Sequence, residues 1–138
     1  MTDAPATVLV SLHGSDHPGI SAGLMEVLAS TGAEVYDIEQ IVVRQRLTLN
    51  VLIGVAAESV TIRDLLFFAW EQDLHVEFEV VEPTPTPIKR MSVVTVLGPI
   101  VGAAEFGAVA TAISEGQGNI ERIVRLSRYP VISYELTI

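Results

Sequence analysis

His13-Gly14-Ser15-Asp16-His17-Pro18-Gly19-Ile20 is a turn cluster set between two apolar stretches of different period. Before it, Thr7 to Leu12 is a β-branched and apolar run that reads as a strand. After it, Ile20, Leu24, Val27 and Leu28 fall at i, i+4, i+7 and i+8, one stripe of a 3.6-residue period, and Gly32 supplies a C-terminal stop. The eight residues therefore lead a strand into a helix start, where the first N–H groups have no partner within the helix. An anion can sit at such a place. Gly19 lets a ligand approach the backbone, Pro18 suits a first-turn position, and Asp16 can receive an ammonium group, so a small zwitterion fits the description. The local alternative is that Asp16 or Ser15 caps the helix and the glycines only turn the chain. Spacing does not choose between them.

Further along, Glu34 to Val43 is strand-like, and Leu47, Leu49, Val51, Ile53 and Val55 alternate with Thr48, Asn50, Leu52 and Gly54 at period two. The short polar Arg44-Gln45-Arg46 between them predicts a hairpin, although no Asn-Gly type signal marks its turn. A second helix is expected from Thr61 to about Asp73, with Asp64 completing a capping box. Its core stripe reads as Ile62, Leu65, Leu66 and Ala69, leaving Phe67 and Trp70 either to cap the core edge or to meet another domain or subunit. Val76, Phe78 and Val80 then alternate with Glu77, Glu79 and Val81 as a final strand. The order βαββαβ predicts an α+β, ferredoxin-like unit, with two helices on one face of a four-stranded antiparallel sheet.

Glu82-Pro83-Thr84-Pro85-Thr86-Pro87 removes amide donors at alternate positions and excludes helix, so 83–90 reads as an extended linker between a first domain, 1–82, and a second unit, 91–138. The second unit repeats the first. Val93 to Leu97 resembles Val8 to Leu12, and Phe106, Val109, Ala110 and Ile113 form a helical stripe. Gly116 follows Gly98 at the interval at which Gly32 follows Gly14. Asn119-Ile120 opens another strand, and Ile132, Tyr134, Leu136 and Ile138 mark a last one. That is βαββ, without a second helix and fourth strand. A fragment of a longer protein is the favoured explanation, and completion by a neighbouring chain is the other. An open edge is expected beside the last strand, and either explanation predicts association.

Composition narrows the function classes. Seventeen acidic against eight basic side chains give a formal charge of −9 over 138 residues, and no basic cluster exceeds Lys89-Arg90, which demotes nucleic-acid and membrane-surface roles. An apolar fraction of 49% supports a folded core. The absence of Cys removes disulfides, thiolate nucleophiles and Cys-based metal sites. No cationic segment precedes an apolar one at the start, and the longest apolar run, Leu65 to Trp70, is far below the about 20 residues a membrane span needs. A cytoplasmic protein is the default expectation.

Catalytic chemistry finds no motif. His13, His17 and Asp16 lack the spacing of a structured metal-ligand set, so no metal is expected, and His75 reads as a polar residue opening a strand. Gly-x-Ser-x-Gly, Gly-x-Gly-x-x-Gly and Walker-type loops are all missing. Glu77, Glu79 and Glu82 read as a solvated strand face rather than paired catalytic acids.

The Gly14-x-Asp16-x-Pro18-Gly19-Ile20 turn, within a βαββαβ unit repeated in tandem, resembles the ACT domain, a small regulatory module that binds amino acids. Asp16-His17-Pro18-Gly19-Ile20, Glu26-Val27-Leu28-Ala29, Val35-Tyr36-Asp37-Ile38-Glu39-Gln40 and Arg46-Leu47-Thr48-Leu49 are similar to the tandem ACT region of bacterial phosphoserine phosphatases, as are Val96-Leu97-Gly98, Asn119-Ile120 and Tyr129-Pro130-Val131. That resemblance implies a Mg²⁺-dependent haloacid-dehalogenase-like catalytic domain elsewhere in the parent enzyme, whose Asp-x-Asp-x-Thr/Val motif does not occur in these residues. It also implies that this region senses an amino acid such as serine and forms a homodimer through ACT contacts. The implied ligand positions are Gly14, Asp16, His17, Pro18, Gly19 and Ile20, with Asn119 contributing from a second unit across an interface, no catalytic residue and no cofactor in the chain. Ile100-Val101-Gly102-Ala103 replaces the acidic turn in the second unit, so one site per chain is expected. The rivals are a purely structural dimerisation module and a free-standing ACT regulator of another enzyme.

Overall fold

The computed structural model describes residues 5–82 and 90–138; the proline-rich linker expected at 83–90 lies, but for Arg90, outside the described residues. The chain divides into two compact units between Thr84 and Pro85. The first contains β1 (Ala6–Ser15), α1 (Ile20–Ser30), β2 (Glu34–Val43), β3 (Arg46–Val55), α2 (Thr61–Glu71) and β4 (His75–Val81). The second contains β5 (Val93–Gly98), α3 (Ala103–Glu115), β6 (Arg122–Ser127) and β7 (Ile132–Thr137). Among the described residues, no helix is long and apolar enough to cross a membrane.

In the first unit the sheet order is β2-β3-β1-β4, all antiparallel. The register sets Val8 opposite Ile53, Val10 opposite Val51 and Leu12 opposite Leu49, so the buried positions of both central strands share one face. Ile20, Leu24 and Leu28 of α1 and Leu65, Phe68 and Ala69 of α2 pack there to close a single core. Each fully buried aliphatic side chain stabilises that core by roughly 1.5–3 kcal/mol. The opposite face carries Ser11, His13, His75 and Glu77, and neither α1 nor α2 packs on it.

Two local expectations for α2 need correction. Its buried residues are Thr61, Leu65, Phe68 and Ala69, with Ile62 partly buried against the core as expected, whereas Leu66 is half exposed, because the helix is rotated so that Phe68 fills the space against Gly23. Phe67 and Trp70 are exposed and stack on each other with ring centroids 5.9 Å apart, so they do not cap the core edge within this unit. The helix start has no Thr61–Asp64 capping box. Ser59 Oγ accepts from the Thr61 N–H at 3.0 Å, and the Thr61 hydroxyl donates to Thr31 Oγ1 at 2.9 Å, which donates in turn to the Val27 carbonyl at 2.8 Å. This hydroxyl chain ties the end of α1 to the start of α2 and satisfies the fully buried Thr61.

The β2–β3 hairpin forms with Arg44 and Gln45 both at positive φ, 47° and 65°. Its two-residue connection has the handedness that matches strand twist, achieved here without glycine or asparagine. In β2 a register shift lies between Val35 and Asp37, and the Tyr36 between them lies against Gly54, where a Cβ would overlap the phenol ring.

In the second unit the order is β5-β7-β6, also antiparallel. The last strand is therefore central, paired on both sides, and the expected open edge beside it is not there; β5 and β6 are the outer strands. The strand expected from Asn119 starts three residues later, at Arg122. Phe106 of α3 meets Tyr134 edge to face at 4.6 Å, which places the helix over the β7 face that carries Tyr134 and Leu136.

Candidate functional site

β1 and α1 are joined by Asp16, His17, Pro18 and Gly19. Gly19 is the residue before the first turn and sits at φ 95°, ψ −7°, a left-handed conformation that a side chain disfavours. Pro18 precedes it and so lies outside the first helical turn where the sequence reading places it. The first intrahelical bond runs from the Gly23 N–H to the Gly19 carbonyl at 2.9 Å, leaving the N–H groups of Ile20, Ser21 and Ala22 without an acceptor in the helix. No side chain caps this end. Ser15 Oγ instead accepts from Arg46 at 3.3 Å, and the Asp16 backbone N–H donates to the Gln45 carbonyl at 2.8 Å. The capping alternative for Ser15 and Asp16 is thus not the arrangement found.

Asp16, His17, Pro18, Gly19, Ile20, Ser21 and Ala22, with Gln40 of β2, line an open cavity of about 310 Å³. A Cβ at Gly19 would meet nothing within 4 Å, so this corner is not plugged by neighbouring side chains. Ser21 Oγ donates to Gln40 Oε1 at 2.5 Å, bridging α1 and β2 across the cavity, and His17 Nδ1 donates to the Pro18 carbonyl at 3.1 Å. The helix N-terminus carries partial positive charge, and the acidic residue Asp16 lines the same cavity. A molecule bearing both a carboxylate and an ammonium group is complementary to that pairing.

Five of the expected ligand positions, Asp16 to Ile20, therefore share one cavity. Gly14 does not line it. Gly14 is buried against the α2–β4 turn, where a Cβ would lie 2.8 Å from Leu74 Cδ2, and it borders a second, wider cavity of about 590 Å³ with His13, Ser15, Arg46, Asp73, Leu74 and His75. Asn119 belongs to the second unit, in the stretch between α3 and β6. Ser21 and Gln40 were not singled out in the sequence; Gln40 could not be, since its place depends on the β2 register shift. In the second unit the corresponding glycine, Gly102, has an extended conformation at φ −113°, and Glu105 Oε2 accepts its N–H at 2.9 Å. A carboxylate of the chain itself therefore already takes a backbone N–H at the start of α3.

The sheet also brings together residues that sequence spacing kept apart. His13 of β1 lies directly opposite His75 of β4, with ring centroids 4.6 Å apart, and His75 Nε2 contacts Glu77 Oε1 at 3.1 Å.

A four-stranded sheet of order β2-β3-β1-β4 covered on one face by two helices, with a glycine-opened turn leading into the first helix, defines a small α+β module of the ferredoxin-like kind. ACT domain models match residues 6–79 and again 91–138, and the chain belongs to the ACT domain family. It is 37% identical over 143 residues to a phosphoserine phosphatase of Streptomyces coelicolor, an alignment covering 99% of this chain and 34% of that protein. It is also 37% identical over 141 residues to phosphoserine phosphatase SerB2 of Mycobacterium tuberculosis, covering 98% of this chain and 34% of the relative. The chain thus corresponds to the ACT region of these phosphatases and spans about a third of their length. Among solved structures, a protein from Galdieria sulphuraria superposes with a TM-score of 0.75 over 96% of this chain and 81% of that one, at 18% identity, a likeness of fold.

Proposed function

We propose that this tandem ACT chain is the amino-acid-binding regulatory and dimerisation module of a cytoplasmic phosphoserine phosphatase, with serine as its ligand. The observation that carries the reading is the Asp16–Ala22 cavity, which is lined by the first turn of α1, whose N–H groups have no acceptor within the helix, by Asp16 and by the Ser21–Gln40 pair. The N–H groups suit the ligand's α-carboxylate, Asp16 suits its ammonium group, and the Ser21–Gln40 pair offers hydroxyl and amide partners to a small polar side chain. Similarity to the ACT regions of two phosphoserine phosphatases supports the choice of serine and of the parent enzyme. Hydrolysis, with its Mg²⁺, belongs to a haloacid-dehalogenase-like domain, for which this chain supplies no paired acids. Regulation follows if bound serine favours one arrangement of paired ACT units over another, since a ligand shifts an equilibrium only by its differential affinity for the two states.

Calorimetry of the chain with serine and with alanine, repeated on Gly19→Ala and Asp16→Asn, tests the reading. Saturable heat with serine, weaker heat with alanine, and loss in both variants is the expected pattern. Equal heats from both amino acids on all three proteins overturn it. The purely structural module predicts that last outcome.

A further inference from the structure

We infer that the face of the first sheet opposite α1 and α2 carries a binding site for a divalent metal ion of the zinc class, formed by His13, His75 and Glu77. The chain has three histidines, and the β1–β4 register sets two of them directly opposite each other on adjacent antiparallel strands. Glu77 follows two residues along β4 and so projects from the same face. One donor atom from each of the three lies within 4.8 Å of the other two. Metal–ligand distances of about 2.0–2.2 Å in a tetrahedral site place neighbouring donors roughly 3.4 Å apart. The trio therefore closes on an ion by χ rotations alone, which all three side chains are free to make because they are exposed.

The donor chemistry sets the class of ion. Two imidazoles with one carboxylate match Zn²⁺, Co²⁺ and Ni²⁺, whereas Mg²⁺ and Ca²⁺ prefer oxygen ligands throughout. Both histidines are mounted on strands whose mutual register is fixed by the sheet, so the backbone presents them at constant separation. Glu79, two residues beyond Glu77 on the same strand face, and the formal charge of −9 add attraction for a cation. Three protein ligands leave one tetrahedral position for water or for an anionic group, and the Arg46-bearing cavity of about 590 Å³ opens beside His13 and His75 to admit one.

The test is titration of the tag-free full chain with ZnCl2 by calorimetry, with MgCl2 as comparison, and folding checked by circular dichroism. One equivalent of Zn²⁺ is expected to bind, with Mg²⁺ at least about tenfold weaker. His13→Ala and His75→Ala are expected to abolish the event, and Glu77→Gln to weaken it by at least about tenfold while the protein stays folded. Zn²⁺ binding no tighter than Mg²⁺ overturns the inference. So does binding that survives both histidine substitutions, or that is lost with His17→Ala instead.

Discussion

The backbone N–H of Asp16 donates to the carbonyl of Gln45 at 2.8 Å, so the loop that opens α1 hangs from the tip of the β2–β3 hairpin. Gln45 holds φ 65° to present that carbonyl, and Arg44 before it holds φ 47°. The cavity wall and the hairpin turn are therefore one mechanical unit. Left-handed backbone costs an L-residue about 1–2 kcal/mol. The double substitution Arg44→Asn, Gln45→Gly keeps the carbonyl and relieves that cost, so it is expected to raise stability by about 1 kcal/mol. Urea unfolding with an unchanged m-value checks it; a loss of stability would show that these side chains make contacts which outweigh the relief.

Asp16 makes no cap, so its removal separates folding from binding. Asp16→Ala is expected to change unfolding stability by less than about 0.5 kcal/mol, the range for a surface side chain, while serine binding is lost. Chemical denaturation and calorimetry on one preparation read both quantities. A stability loss near 1 kcal/mol with unaltered serine affinity would favour the structural reading of the turn.

Gly19 has open space around it and a strained φ, whereas Gly14 has the reverse problem. Gly19→Ala is expected to cost about 1–2 kcal/mol through backbone strain alone, and Gly19→Asn less, since Asn tolerates this region. Gly14→Ala drives a methyl group into Leu74 Cδ2, and its expected cost of about 1–3 kcal/mol should fall markedly in a Gly14→Ala, Leu74→Val double variant. Thermal melts of the four proteins test whether the two glycines differ in this way.

Thr61→Val keeps the shape of the α2 start and removes the hydroxyl between Ser59 and Thr31. A loss of about 1–3 kcal/mol is expected, because Thr61 is fully buried and two partners lose a bond. Thr31→Val, in the same chain, should be non-additive with it.

The order of elements was legible because each central element has one buried side and one exposed one. β3 alternates strictly from Leu47 to Ile53, and α1 keeps Ile20, Leu24 and Leu28 on one stripe. Where both sides of an element are wet or both are apolar, the pattern fails. β2 is exposed along most of its length, so nothing local announces the register shift at Tyr36, and hence nothing places Gln40 in the cavity. In Thr61–Glu71, apolar residues stand at every angle; the choice of Phe68 over Leu66 for the core was made by the room beside Gly23. The turn residues Asp16 to Ile20 were readable because they are contiguous. The His13–His75 pair was not, since it exists only through strand pairing between distant parts of the chain.

In the second unit no residue of α3 is buried, and Leu136 and Ser133 are its buried residues among those described. A helix that shields so little lets solvent reach the amides beneath it through small, frequent openings. Deuterium uptake should consequently divide the polypeptide in time: β5, β6 and β7 exchange early, while β1 and β3 keep their protons until the whole first unit comes apart.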